Sequence, residues 1–414
     1  MPSAFQVKLD RLAQLLVYSA GVYGGAEVLL HVHYGGEDLA ALVAKHCYTA
    51  GASRVERVSF DQRVLAEHLR SGANPRIFSR AEWYAWERVR KKHGCFIQIR
   101  ADPNPELFDG ISDIYGQWYR DHWRARGQFV KRGIVEGELP WTLFYVPTLH
   151  TAKRTFPELP ENQALGAYWE AVFRITQTDK PNFRELAKEN EVTLARRCEI
   201  LDGLNIAYLE FSGPGTHLNV PLHPRARWLG GGKEVTSGGY WHVPNVPTYE
   251  VFTTPYWPGV EGVVRVTKDT VLEGALIRAL NLVLEKGRVV GCKAMDIGGH
   301  FLHAFIRRDV GASRLGEVAL VGLDSPVQQE NRVFYSMILD ENAACHFALG
   351  SAYRAAMKNA SEITTTDYEH LGFNSSGVHH DFMISDENTE VVAVTRDRRR
   401  VVLLEGGYWT PDFL

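Results

Sequence analysis

The chain has 414 residues, 45% of them hydrophobic and 23% charged, the balance of a globular protein too long for one simple core. A formal net charge of −3 leaves no basic excess for nucleic acid or an anionic membrane surface, and no apolar stretch approaches the roughly 20 residues that span a bilayer. Five scattered cysteines (Cys47, Cys95, Cys198, Cys292, Cys345) without a CxxC spacing argue against both a disulfide framework and a thiolate zinc site.

The first ten residues carry no basic region ahead of an apolar run, so no secretory signal is expected and the cytoplasm is the default location. Leu9, Leu12, Leu15 and Leu16 predict a helix over 8–19. The apolar run 26–34 reads as a buried strand, 39–48 as a helix entered through Gly35-Gly36-Glu37-Asp38, and 54–60 as the next strand. This βαβ unit predicts a parallel sheet with right-handed crossovers. The turn after the first strand is not GxGxxG, so no nucleotide site is read there. His31 and His33 share one face of that strand, where hydrogen bonding accounts for them more simply than a metal does. Strands over 95–100 and 141–146 and helices over 111–126, 164–175 and 182–201 follow, the last opened by Lys180-Pro181.

After Leu204 the pattern changes. Residues 205–211 alternate, Gly213-Pro214-Gly215 turns the chain, and 216–220 returns as a strand. Gly230-Gly231-Gly232 and Gly238-Gly239 mark flexible connections. The domain boundary is set here, with an N-terminal α/β domain over 1–230 and a C-terminal mixed α+β domain over 231–414. The second half predicts strands over 263–266, 276–285 and 288–293, a helix over 300–308, and a hairpin of 390–395 and 400–405. The Arg396-Asp397-Arg398-Arg399-Arg400 run between its strands reads as a solvated turn.

Four places in the second half carry chemistry. Glu250 precedes an apolar strand-like segment, and Glu317 stands at the start of another apolar run. Asp340-Glu341-Asn342 precedes 343–353, which reads as a helix with Asp340 or Asn342 as its cap and with His346 and Tyr353 on one face. His379 and Asp381 alternate on an extended segment and project from one side. Imidazoles with hard carboxylate oxygens suit Zn, Co, Mn or Fe rather than Ca or a structural zinc finger. Two carboxylates able to bridge, with two histidines and an aspartate, give enough donors for a metal pair about 3.5–4 Å apart.

At these residues the chain resembles the metalloaminopeptidase family typified by aminopeptidases T and S. Four ordered blocks carry the resemblance: 247–255 (Pro-Thr-Tyr-Glu-Val-Phe-Thr-Thr-Pro), 315–321 (Leu-Gly-Glu-Val-Ala-Leu-Val), 340–350 (Asp-Glu-Asn-Ala-Ala-Cys-His-Phe-Ala-Leu-Gly) and 378–384 (Val-His-His-Asp-Phe-Met-Ile). The resemblance implies an α/β N-terminal domain, a C-terminal domain that holds the metals, and a homodimer enclosing the active sites. It implies Glu250, Glu317, His346, His379 and Asp381 as ligands of two divalent ions, Zn or Co, with Glu317 bridging. Glu341 becomes a proton shuttle and Tyr353 an oxyanion donor. The implied activity is hydrolysis of N-terminal residues of peptides, or of a related small amide, through a hydroxide shared by the two metals. A similar fold serves 2,5-dihydroxypyridine dioxygenases, and His346, His379 and Asp381 would also make a two-histidine, one-carboxylate Fe(II) triad. The peptidase reading is preferred because a single-iron site has no use for both Glu250 and Glu317. His380, beside a presumed ligand, is read most simply as an outward strand position, with support of the ligands or a substrate contact as the alternatives.

Overall fold

Four parallel strands organise the first unit of the chain, Met1–Ala187 with Gly232–Pro247. They are β1 (Glu27–His33), β2 (Arg54–Phe60), β3 (Cys95–Ala101) and β4 (Trp141–Val146), in the order β2-β1-β3-β4. The computed structural model describes residues 2–72, 80–127, 129–135, 137–235, 240–272, 275–295, 298–360 and 363–414, so the expected Gly238-Gly239 connection lies outside the described residues. β1 and β3 are buried on both faces, which is why they read as near-continuous apolar runs in the sequence. Leu29, Trp86, Val89, Phe96 and Phe129 form part of the core beneath them. The first helix, Ala4–Ser19, starts at a capping box in which Ser3 and Gln6 satisfy each other's backbone N–H groups.

Helices Gln62–Arg70, Arg80–Lys91 and Leu149–Thr155 were not expected from the sequence. Each is short or densely charged: Arg80–Lys91 buries only Ala85, Trp86, Glu87 and Val89, too few for the period to stand out. The helix expected over 182–201 runs Phe183–Gly203, so Pro181 lies just outside it rather than in its first turn.

The second unit comprises Lys188–Gly231 and Thr248–Leu414. The sequence reading set one boundary near residue 230; the chain passes between units at 187/188, 231/232 and 247/248. One of its sheets is antiparallel and eight-stranded, in the order Arg288–Lys293, Asn281–Glu285, Glu261–Arg265, Thr216–Pro221, Ile206–Gly213, Glu390–Thr395, Arg400–Glu405, Tyr408–Trp409. The expected strand over 276–285 divides. Ala275–Ile277 pairs with Thr270–Leu272, and Asn281–Glu285 pairs with Arg288–Lys293 about the Lys286-Gly287 turn.

The second sheet of this unit carries the polar constellation. Its strands are β5 (Leu229–Gly230), β6 (Val251–Thr253), β7 (Leu315–Leu320), β8 (His346–Gly350) and β9 (His379–Met383), all antiparallel, in the order β9-β8-β7-β6-β5. Phe211, Leu282 and Val391 of the larger sheet and Val318, Phe347 and Phe382 of this one share a single hydrophobic core. The helix expected over 343–353 is absent; a short 3-10 turn, Glu341–Ala343, leads into β8. Every residue of β8 is buried, so its sequence shows no alternation, and an unbroken apolar run does not distinguish a central strand from a core helix. Pairing on both edges decides it.

Candidate metal centre

The register of β7, β8 and β9 assembles the site. Glu317 lies opposite Ala348, Ala348 opposite Asp381, and Gly350 opposite His379. His346 precedes Ala348 by two, so its side chain shares that face. The centre of the row is therefore a methyl group and a glycine, with carboxylates and imidazoles on either side. Bulk at 348 would crowd the face that carries the polar groups, and a Cβ at 350 would lie 2.1 Å from the Val378 carbonyl oxygen, just before β9. The β7 register shifts between Leu315 and Glu317, and Gly316 makes that bulge possible: a Cβ there would lie 2.3 Å from the Gly350 carbonyl oxygen and 2.4 Å from that of Ser351.

Glu250 enters from the residue before β6. Its placement is held by Asn342, which is wholly buried. Asn342 Oδ1 accepts from the Tyr249 N–H at 2.6 Å, and its Nδ2 donates to the Ile338 carbonyl at 3.0 Å. Sequence reasoning missed this role, giving Asn342 or Asp340 a capping function. Asp340 instead accepts from the Phe334 and Ser336 N–H groups at 2.7 and 3.2 Å and closes the preceding turn. An Asn between acidic and apolar residues carries no signal of which distant N–H it will meet.

Two sets of potential donors result, Glu250–Glu317–His346 and Glu317–His379–Asp381, and within each the ligand atoms lie within 4.8 Å of one another. Glu317 belongs to both. His346 Nε2 stands 3.1 Å from Glu250 Oε2, and His379 Nε2 stands 3.4 Å from Glu317 Oε2 and 3.5 Å from Asp381 Oδ1. The far nitrogens are tethered: His346 Nδ1 to the Ala344 carbonyl at 3.1 Å and His379 Nδ1 to the Ser351 carbonyl at 2.8 Å. Those bonds place the N–H of a neutral imidazole on Nδ1 and turn the Nε2 lone pair toward the carboxylates. With the His346 N–H on Nδ1, the buried Glu250 Oε2 receives no hydrogen bond, a state that costs several kcal/mol in a carboxylate unless a proton on His346 or a cation meets it. The residues present thus fit two cations that share Glu317.

Charge crowding shows in the titration of the ion-free cluster. Burial, then repulsion from Glu250 and Asp381, lifts Glu317 to about 7 against the pull of His379. Burial opposes ionisation of Asp381 too, but His379 and His346 outweigh it and hold Asp381 at about 2. For His346, burial disfavours the charged form, yet Glu250, Asp381 and Glu317 raise it to about 10. His379 also rises, burial being overcome by Tyr353, Asp381 and Glu317. Glu341, beside the cluster, is pushed well above the usual carboxylate range by burial and by Glu250, Asp381 and Glu317.

The structure thus brings Glu250, Glu317, His346, His379 and Asp381 together, with Glu341 within electrostatic reach. Tyr353 does not share a helical face with His346. It follows β8, is 45% exposed, and sets its ring edge-on to the His379 imidazole at 5.1 Å between centroids. His380 is not an outward strand residue: it is buried, its Nε2 lies 3.2 Å from Thr270 Oγ1, and burial draws it down to about 4. His31 and His33 belong to neither set of potential donors.

The chain matches known proteins along nearly its whole length. The family model described as thermophilic metalloprotease (M29) matches residues 5–409. Aminopeptidase 2 of Geobacillus stearothermophilus is 32% identical over 415 residues, covering 98% of either chain. The solved structure of wild-type AmpT from Thermus thermophilus superposes with a TM-score of 0.88 at 30% identity, covering 98% of this chain and 100% of that one. A 2,5-dihydroxypyridine dioxygenase from Pseudomonas putida gives a TM-score of 0.57 at 13% identity over 99% of both chains, a likeness of fold alone.

Proposed function

The chain belongs to the M29 family of thermophilic metalloproteases, and from that premise we propose that it is a metallo-aminopeptidase, a hydrolase that releases N-terminal residues from peptides at the cluster around Glu317. The observation that carries this reading is the double membership of Glu317 in two adjacent donor sets. A mononuclear oxygenase triad would leave Glu250 as a buried, uncompensated carboxylate.

We assign Glu250, Glu317 and His346 to one divalent ion and Glu317, His379 and Asp381 to the other, Zn or Co being the metals the family resemblance implies. When bound, such a pair would lower the pKa of water toward neutrality and polarise the scissile carbonyl. Glu341 then takes up the proton of the attacking water and hands it to the leaving amine. Glu341 lies beside Glu250, Glu317 and Asp381, within reach of the reacting groups that this role requires. Tyr353, at the open edge of the site, donates its O–H to the developing oxyanion. His379 favours its ionisation, but the charges of Glu317, Asp381 and Glu341 prevail and keep the phenol protonated. A cytoplasmic homodimer completes the reading, carried by the family resemblance, and the mass of the protein in solution tests the dimer.

The decisive variant is Glu341→Gln. It should retain both ions by elemental analysis yet release N-terminal residues about 10²–10⁴-fold more slowly. Undiminished turnover would remove Glu341 from the proton path; protein with neither ion nor peptidase activity in the unaltered chain would end the metallo-aminopeptidase reading.

A further inference from the structure

We propose that the crevice at the carboxyl ends of β1 and β3, in the first unit, is a binding site for a small oxyanion, a carboxylate or phosphate group. In the order β2-β1-β3-β4 the chain reverses its direction of winding between β1 and β3. That is the switch point at which open parallel sheets leave a crevice outside their strand ends.

The residues there are unusual for a sheet buried on both faces. His31 lies opposite Gln98, and Arg100 follows Gln98 by two, so His31, His33, Gln98 and Arg100 share one face. His31 is 5% exposed and His33 6%, and the Nδ1 atom of each has no hydrogen-bond partner. Arg126, 8% exposed, faces them from beyond helix Ser112–Ala125 and donates to His122 Nε2 at 2.9 Å. The guanidinium of Arg126 stacks 4.4 Å from the Trp86 ring and that of Arg100 lies 5.3 Å from the Tyr145 ring. Rings spread the charge of a guanidinium, and Glu82 adds an opposing charge to Arg126. Among the described residues no carboxylate pairs with Arg100, whose neighbours are Tyr145, Tyr119 and Tyr115.

The cluster titrates as groups crowded by like charge. Burial, then Arg100, draws Arg126 down to about 9. Burial first, then His33, Arg126 and Arg100, holds His31 well below its ordinary value. Two guanidiniums and two unsatisfied imidazoles line a cavity of about 30 Å³, room for roughly two oxygen centres at ~10–15 Å³ each. A second cavity of about 420 Å³ shares Phe60, Trp118 and His122 with it and is also lined by Glu37, Asp61 and Glu82, so the remainder of a molecule carrying the oxyanion would have to be neutral or cationic there.

The test uses the full chain, titrated with sodium phosphate or sodium acetate at ionic strength held constant with chloride, and followed by thermal unfolding and calorimetry. At least one anion should stabilise the protein saturably; acetate alone would mark a carboxylate site, phosphate alone a phosphate site. Arg100→Gln should weaken that response on the order of tenfold to a hundredfold. Anions that bind instead at the Glu317 cluster would be indifferent to Arg100→Gln. In the unaltered chain, the imidazole resonances of His31 and His33 should move with the same saturation curve. No saturable response, an undiminished response in Arg100→Gln, or unmoved His31 and His33 resonances would each overturn the proposal.

Discussion

Each unit buries a cluster of titratable groups on a sheet face, and the two clusters have opposite charge. In the second unit Glu250, Glu317, Asp381 and Glu341 outnumber His346 and His379. In the first, Arg100 and Arg126 stand with His31 and His33. Burial alone would neutralise both. In the acidic cluster it is largely compensated internally, because the imidazoles take up protons and pair with the carboxylates. The basic cluster has no such partner within the described residues for Arg100, and its histidines respond by staying neutral. The sign of the uncompensated charge names the class of the missing ligand: a cation in one case, an anion in the other.

The largest effect is expected where one residue serves two donor sets. Glu317→Gln should lower metal content from two ions per chain to at most one and reduce kcat/KM more than about a hundredfold, since even outer partners of metal ligands cost 10–100-fold. Elemental analysis with a peptide-release assay measures both. The anion response of the first unit should persist in this variant, because the clusters are independent chemically. A Glu317→Gln protein that keeps two ions would remove the shared-ligand geometry.

The next prediction exploits the opposite signs. In metal-stripped protein Glu317 titrates at about 7 when folded and near 4.5 when unfolded. Between those values the folded state holds the extra proton, so stability is lost as pH rises and regained as it falls, by about 3 kcal/mol in all. His31 and His33 behave in reverse. Their folded values lie well below the ordinary 6.5, so the unfolded chain binds protons first and stability is lost as pH falls below 6.5. Asp381, held at about 2, is ionised throughout, and His346, at about 10, stays protonated. Lowering the pH from about 7 to about 5 should therefore slow amide exchange around β7 and β8 and speed it around β1 and β3, after correction for intrinsic rates. Parallel changes in both units would contradict the charge assignment. Restoring metal should reverse the response of the second unit, because binding displaces protons from its ligands.

Which parts of this were readable in the sequence follows from the kind of signal each leaves. β1 and β4 are plain because short apolar runs between turns have few alternatives. The five clustered side chains were named because carboxylates and imidazoles beside apolar strands demand a reason for burial. β8 was misread as a helix because a strand buried on both faces has no alternation, and only its neighbours Leu315–Leu320 and His379–Met383 reveal it. The basic crevice was half visible: His31 and His33 stood out, but Arg100 and Arg126 reach them only through sheet order and a helix crossing. Small residues left least trace. Ala348, Gly350 and Gly316 shape the metal site by what they lack.

The smallest effect concerns how firmly each cluster is held before a ligand arrives. In the acidic cluster His346 and His379 are tethered to backbone carbonyls and Glu250 is steadied through Asn342. In the basic one the Nδ1 atoms of His31 and His33 are bound to nothing. Asn342→Ala removes the acceptor of the Tyr249 N–H and the donor to Ile338, each worth about 1–3 kcal/mol when buried. Glu250 would then find its donor position less often, while Glu317, His379 and Asp381 would be undisturbed. Occupancy of one ion should fall about 10–100-fold in affinity and that of the other should not change, a split that calorimetric metal titration resolves. Equal weakening of both ions would mean that Asn342 supports the whole sheet, and no weakening would mean that β6 alone positions Glu250.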